Sequence, residues 1–131
     1  MIFQRDDTFT RSFVVTKALH TGFIELFGDK NPLHVDDAFA TSKGFSGKVM
    51  HGNILGGFLS HFIGECLPTK EVIIHSQEIQ YMNAVYVNDV LNFEAKVGGV
   101  YESVNAVEFK FVFQNGEGKI VSKGMFQIGL L

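Results

Sequence analysis

Hydrophobic positions change their rhythm part-way along the chain. Up to about residue 67 they recur mostly at helical spacing, and from Val72 onward they alternate as in strands. The clearest helical run is Ile54, Leu55, Phe58, Leu59, Phe62, Ile63 and Cys66. It predicts a main helix over 51–66, with Pro68 preventing its continuation. Thr16 is a plausible N-cap for an earlier helix over roughly 17–27, with Ala18, Phe23, Leu26 and Phe27 on its apolar side. Gly28 stops that helix, as glycine often does just past a C-terminus. Asp36 or Asp37 starts a short helix through about Thr41, with Ala38 and Phe39 pointing inward. Residues 29–34 and 42–48 read as loops.

The strand signals are as plain. Residues 9–15 can form a first strand. A long strand runs from Val72 towards Tyr81, and Asn88-Asp89 makes a turn. Leu91, Phe93, Ala95 and Val97 alternate with polar or small neighbours, as do Val107, Phe109, Phe111 and Phe113. Asn115-Gly116-Glu117-Gly118 is a hairpin turn, followed by a last strand over about 119–130. Helices first and strands afterwards argue for an α+β fold, an antiparallel sheet with helices on one side. One long helix against four or five long strands implies a strongly curved sheet wrapped around that helix. With no repeat or linker in 131 residues, 1–131 reads as one domain.

Composition removes several function classes. The net charge is −3 with no basic run, which gives no support for a nucleic-acid or anionic-membrane partner. No apolar run reaches the roughly 18–20 residues needed to span a bilayer. The first residues lack the basic-then-apolar order of a signal peptide, so a cytoplasmic protein is expected. The single cysteine, Cys66, excludes an internal disulfide and reads as a buried small apolar residue. Phenylalanine is abundant, at 14 residues, and core filling accounts for most of it; a subset can line an apolar pocket.

Candidate chemistry concentrates in Asp29-Lys30-Asn31-Pro32-Leu33-His34. Asn31-Pro32 favours a bend, and a fixed bend can aim the Asp29 carboxylate and the His34 imidazole at one small volume. An acid and a base sharing one water or one substrate proton are a common catalytic pair. Asp29 as a turn residue and His34 as a satisfied loop histidine are the plainer alternatives. His51-Gly52 stands at the predicted start of the main helix, where unpaired amides carry partial positive charge. Gly52 leaves its amide open to a carbonyl oxygen, or merely permits close packing. Gly52, Gly56, Ser60 and Gly64 form a small-residue stripe, which suits either a packed neighbour or a substrate surface. His51 either fixes the helix start or donates near the site, whereas His20 and His75 show no partner. No spacing such as H-x-x-x-H with an acidic base appears, so no metal is expected.

The stretch from Gly28 to His34, followed by Ala38, Gly44-Phe45 and Val49-Met50-His51-Gly52, resembles the hydratase signature of the MaoC-like family. That family includes the (R)-specific enoyl-CoA hydratases. The resemblance is close over about residues 16–66 and extends to the strands only by pattern. It implies the hot-dog fold, a helix wrapped by an antiparallel sheet. It also implies Asp29 and His34 as the catalytic pair, Asn31 as a support of the loop, Gly52 as the amide that binds the thioester carbonyl, and Ser60 as a residue near the site. Phe27 departs from the pattern, standing where the family usually has Ser or Thr.

The implied reaction interconverts a trans-2-enoyl thioester and an (R)-3-hydroxyacyl thioester, with no metal or redox cofactor. Asp29 is expected to orient the water as base, with His34 as its acid/base partner. Ile54, Phe58 and Ile63 are expected in the acyl pocket. Lys43 and Lys48 are weak candidates for contacts to a CoA phosphate. A hot-dog thioesterase and a non-catalytic acyl-thioester-binding subunit are the alternatives. A homodimer is expected by resemblance, because small hot-dog proteins usually pair their sheets edge to edge. Covering an edge strand supplies a physical motive.

Overall fold

The computed structural model describes residues 1–131, in the order β1 (Thr8–Val14), α1 (Lys17–Phe27), α2 (Pro32–Val35), α3 (Asp37–Ser42), α4 (Asn53–His61), β2 (Val72–Tyr81), β3 (Val90–Tyr101), β4 (Ala106–Gln114) and β5 (Ile120–Leu130). The five strands form one antiparallel sheet in the order β1-β3-β4-β5-β2. Alternation in β3 and β4 buries one face, with Leu91, Phe93, Ala95 and Val97 opposite Phe113, Phe111 and Phe109. That face closes on α4, whose Ile54, Leu55, Phe58 and Leu59 are buried. The curved sheet around one helix is the predicted α+β architecture.

Phenylalanine supplies much of the core. Phe3, Phe62, Phe93, Phe109, Phe113 and Phe126 are fully buried, and Phe109 stacks on Phe126 across the β4–β5 pair with ring centroids 4.7 Å apart. Burying each such ring contributes about 1.5–3 kcal/mol. β2 behaves differently. It is an edge strand, mostly exposed along its ten residues, with Ile73, Ile74 and Tyr81 open to solvent.

Local chemistry accounts for the helix boundaries. The Thr16 side chain accepts from the Leu19 amide at the start of α1, and Gly28 ends it in the left-handed region with φ 73°. Asp36 caps α3 by accepting from the Phe39 amide.

Four expectations need correction. Residues 29–34 are not wholly loop: the Asn31 side chain accepts from the Leu33 amide and Pro32 fits the first helical position, so 32–35 closes as a helical turn. The main helix begins at Asn53, leaving His51 and Gly52 before it, and its last turn over Phe62–Cys66 widens to π-helical. Ala40, not Ala38, is the buried residue of α3. Cys66 is half-buried instead of buried, because the widened turn carries it to the rim of a groove.

Candidate active site

The short turn α2 and the segment before α4 bring the predicted residues together. The Asn31 amide donates to Asp29 Oδ1 at 3.1 Å, and the His34 amide donates to the Asn31 carbonyl at 2.8 Å. Asn31 thus holds both ends of the bend through its backbone, while its side chain caps the turn at Leu33. His34 Nδ1 donates to the Val49 carbonyl at 2.8 Å, which leaves Nε2 facing Asp29. His34 Nε2 and Asp29 Oδ2 lie 3.8 Å apart, too far for a direct hydrogen bond and close enough for both to reach one water.

His51 is buried beneath this pair, its ring stacked on His34 with centroids 4.0 Å apart and against Phe23 at 4.4 Å. Its Nε2 donates to the Asp29 carbonyl at 3.0 Å, while its Nδ1 is buried without a partner. Burial holds the imidazole below its ordinary pKa, against the pull of the Asp29 carbonyl, and the nearby His34 adds to the lowering. His51 is therefore a neutral brace under the Asp29 backbone. His20, for which the sequence shows no partner, is also buried and donates from Nε2 to the His34 carbonyl at 2.7 Å. Its signal in the sequence is faint, because the partner is 14 residues away on the far side of a bend.

Ligand atoms of Asp29, His34 and His51 all lie within 4.8 Å of one another, a grouping invisible in the sequence spacing. Imidazole lone pairs lie in the ring plane. Rings stacked 28° from parallel do not converge on one ion about 2.0–2.1 Å from each nitrogen, so the grouping suits proton chemistry better than ligation.

Asp29, His34, His51 and Gly52 line one cavity of about 500 Å³, together with Asn53, Ile54 and Tyr81. Gly52 is the N-cap of α4, and no side chain caps the helix. The Gly52 and Asn53 amides take no acceptor from the chain, so they are open at the positive end of α4. Packing also matters at Gly52: an added Cβ would lie 2.8 Å from the Tyr81 ring. Tyr81, though half-exposed overall, reaches the Asn53 side chain at 3.4 Å, and partial desolvation against the site raises its pKa.

Two residues do not join the site. Ser60 is exposed and lines neither this cavity nor its neighbour; the small-residue stripe instead turns Gly52 and Gly56 towards Tyr81 and Ile79 of β2. Ile63 is buried in the sheet-facing core and lines neither cavity. Ile54 and Phe58 do line a second, larger cavity beside α1, and Ile54 belongs to both.

A five-stranded antiparallel sheet curved around one helix, with its polar site at the helix start, is a hot-dog domain. Residues 3–116 match the family described as MaoC like domain, and the chain belongs to that family. It is 35% identical over 80 residues to the (R)-specific enoyl-CoA hydratase of Aeromonas caviae, a match covering 61% of this chain and 60% of that protein. It is 30% identical over 76 residues to the 3-hydroxybutyryl-CoA dehydratase of Methylorubrum extorquens, covering 58% of this chain and 48% of that protein. These matches therefore span about half to three-fifths of the relatives' length. The solved (R)-hydratase of A. caviae superimposes with a TM-score of 0.90 at 25% identity, covering 99% of this chain and 98% of that one.

Proposed function

We propose that this chain catalyses reversible syn hydration of a trans-2-enoyl thioester to an (R)-3-hydroxyacyl thioester. The observation that carries this reading is the pairing of Asp29 Oδ2 and His34 Nε2, 3.8 Å apart, in one cavity with the free Gly52 amide. The names of the similar proteins, an (R)-specific enoyl-CoA hydratase and a 3-hydroxybutyryl-CoA dehydratase, support the same reaction class.

In this mechanism the thioester carbonyl accepts from the Gly52 amide, and negative charge developing on its oxygen is stabilised by the start of α4. A water sits between Asp29 and His34. The Asp29 carboxylate takes one of its protons as the water oxygen bonds to the β-carbon. Protonated His34 delivers a proton from Nε2 to the α-carbon on the same face. The sum is one water added across the double bond, and a proton passed from Asp29 to His34 resets the pair. Nδ1 of His34 is committed to Val49, so both proton steps at this ring use Nε2.

The test follows crotonyl-CoA by its enoyl absorbance and by free thiol. Loss of absorbance without free CoA supports hydration, whereas free CoA would indicate a thioesterase. Asp29→Asn and His34→Ala should each lower kcat by about 10²–10⁴. Full activity in either variant would sink the pair. No turnover with enoyl thioesters of any length would leave the acyl-thioester-binding subunit as the reading.

CoA as carrier, no metal or redox cofactor, a homodimer joined through β2 and a cytoplasmic location complete the proposal. No helix of the chain is long and apolar enough to cross a membrane. The exposed apolar edge of β2 supports the dimer.

A further inference from the structure

α1 does not bury the apolar side that its sequence presents. Leu26 and Phe27 are 79% and 72% exposed, at the end of a helix in which His20 is the buried residue. Exposed apolar groups this large, next to one another, call for an explanation. They form the lip of a groove of about 1,120 Å³ between α1, β1 and α4. Its wall is aromatic: Phe13 stacks on Phe58 with centroids 4.7 Å apart, and Phe23 lies 4.8 Å from Phe27. Gly22 and Gly57 face it from α1 and α4, and an added Cβ at either would meet nothing within 4 Å. The groove is therefore roomy as well as apolar.

The groove is also continuous with the site. Asp29, Asn53 and Ile54 line both it and the cavity that holds His34 and Gly52. A molecule whose polar end reacts at Asp29 can lay an apolar tail into the groove without leaving the protein surface. The space far exceeds what a one-carbon tail beyond the double bond needs.

We propose that this groove houses the acyl tail of the substrate, with Phe27 as its apolar lip, and that the chain selects thioesters of medium or longer tail. The proposal rests on the hydratase reading. It gives Phe27 a role that a hydroxyl side chain at that place would not fill: its ring covers the tail where the groove opens to solvent. A tail buried along this wall gains roughly 0.8 kcal/mol per methylene, about fourfold in binding for each.

The experiment compares hydration of crotonyl-CoA and trans-2-dodecenoyl-CoA in the wild-type chain, in Phe27→Ser and in Gly57→Leu. The leucine enters open space on a helix and removes a glycine from its interior, so the fold should tolerate it. In the wild type kcat/KM is expected to be higher for dodecenoyl-CoA. Its ratio to crotonyl-CoA should fall about tenfold in each variant, mainly through KM. A ratio unchanged in both variants would overturn the proposal. If the wild-type chain hydrates neither thioester, the reaction reading fails, and the groove is judged by binding alone. Dodecanoyl-CoA should then bind at least about tenfold more tightly than acetyl-CoA, with Gly57→Leu removing the difference. Equal affinities would overturn the groove assignment independently of the chemistry.

Discussion

At the scale of single residues, the site depends on who holds whom. His51 braces the Asp29 backbone from a buried position, and burial keeps its pKa below the ordinary 6.5. The folded state thus binds a proton there less readily than the unfolded chain. The stability this residue contributes is complete above pH 6.5 and declines as pH falls below it, towards the folded pKa. Thermal melts should show Tm dropping on that acid side, and His51→Gln, which keeps a donor amide but cannot titrate, should flatten the drop. A slope identical to wild type would remove His51 as its source. Gly52 makes a different prediction. Gly52→Ala drives a Cβ against the Tyr81 ring, so it should lower kcat at the carbonyl site with little change in Tm. Adding Tyr81→Ala should recover part of that rate if crowding is the cause, and no recovery would place the defect in the amide itself.

At the scale of elements, local signals were readable and distant ones were not. Thr16 and Gly28 bound α1 with chemistry confined to a few residues, and both act as their types suggest. Thr16→Ala should cost about 1 kcal/mol, read as a lower urea midpoint with unchanged slope. The alternation at Val107, Phe109, Phe111 and Phe113 also survives intact, because one face of β4 meets the core throughout. Elsewhere either a segment is too short to show a period or tertiary context decides. The turn at α2 depends on one side-chain cap inside a segment too short to show a period. The widened turn at Phe62–Cys66 alters which side chains face the groove, and no periodicity argument anticipates it. Ser60 fits a small-residue stripe, yet only Gly52 and Gly56 of that stripe face β2, through packing that the folded sheet defines, and Ser60 is left exposed. The apolar side of α1 was visible as a pattern, but whether it faces core or solvent was not. The pair Asp29 and His34 could be found from the chain; His20 and the shared rim of two cavities could not.

At the scale of the whole molecule, two edges remain. β1 and β2 end the sheet; β2 pairs with β5 on one side only, and it exposes Ile73 and Ile74. Light scattering should give a dimer in solution, and Ile74→Lys should shift it towards monomer. A wild-type monomer would refute pairing through β2. The strand order has a further consequence for how the protein forms. β3, β4 and β5 are consecutive hairpins, whereas β1 finds β3 and β2 finds β5 only across long stretches of chain. Local pairings close first and distant ones wait on loop-closure entropy. Asp29, His34 and Gly52 lie in the largely helical segment between those two late strands. On refolding, amide protection should therefore appear in the β3–β5 meander before catalytic activity returns. The candidate site is then expected to assemble last, and recovery of the proposed activity would report a finished fold.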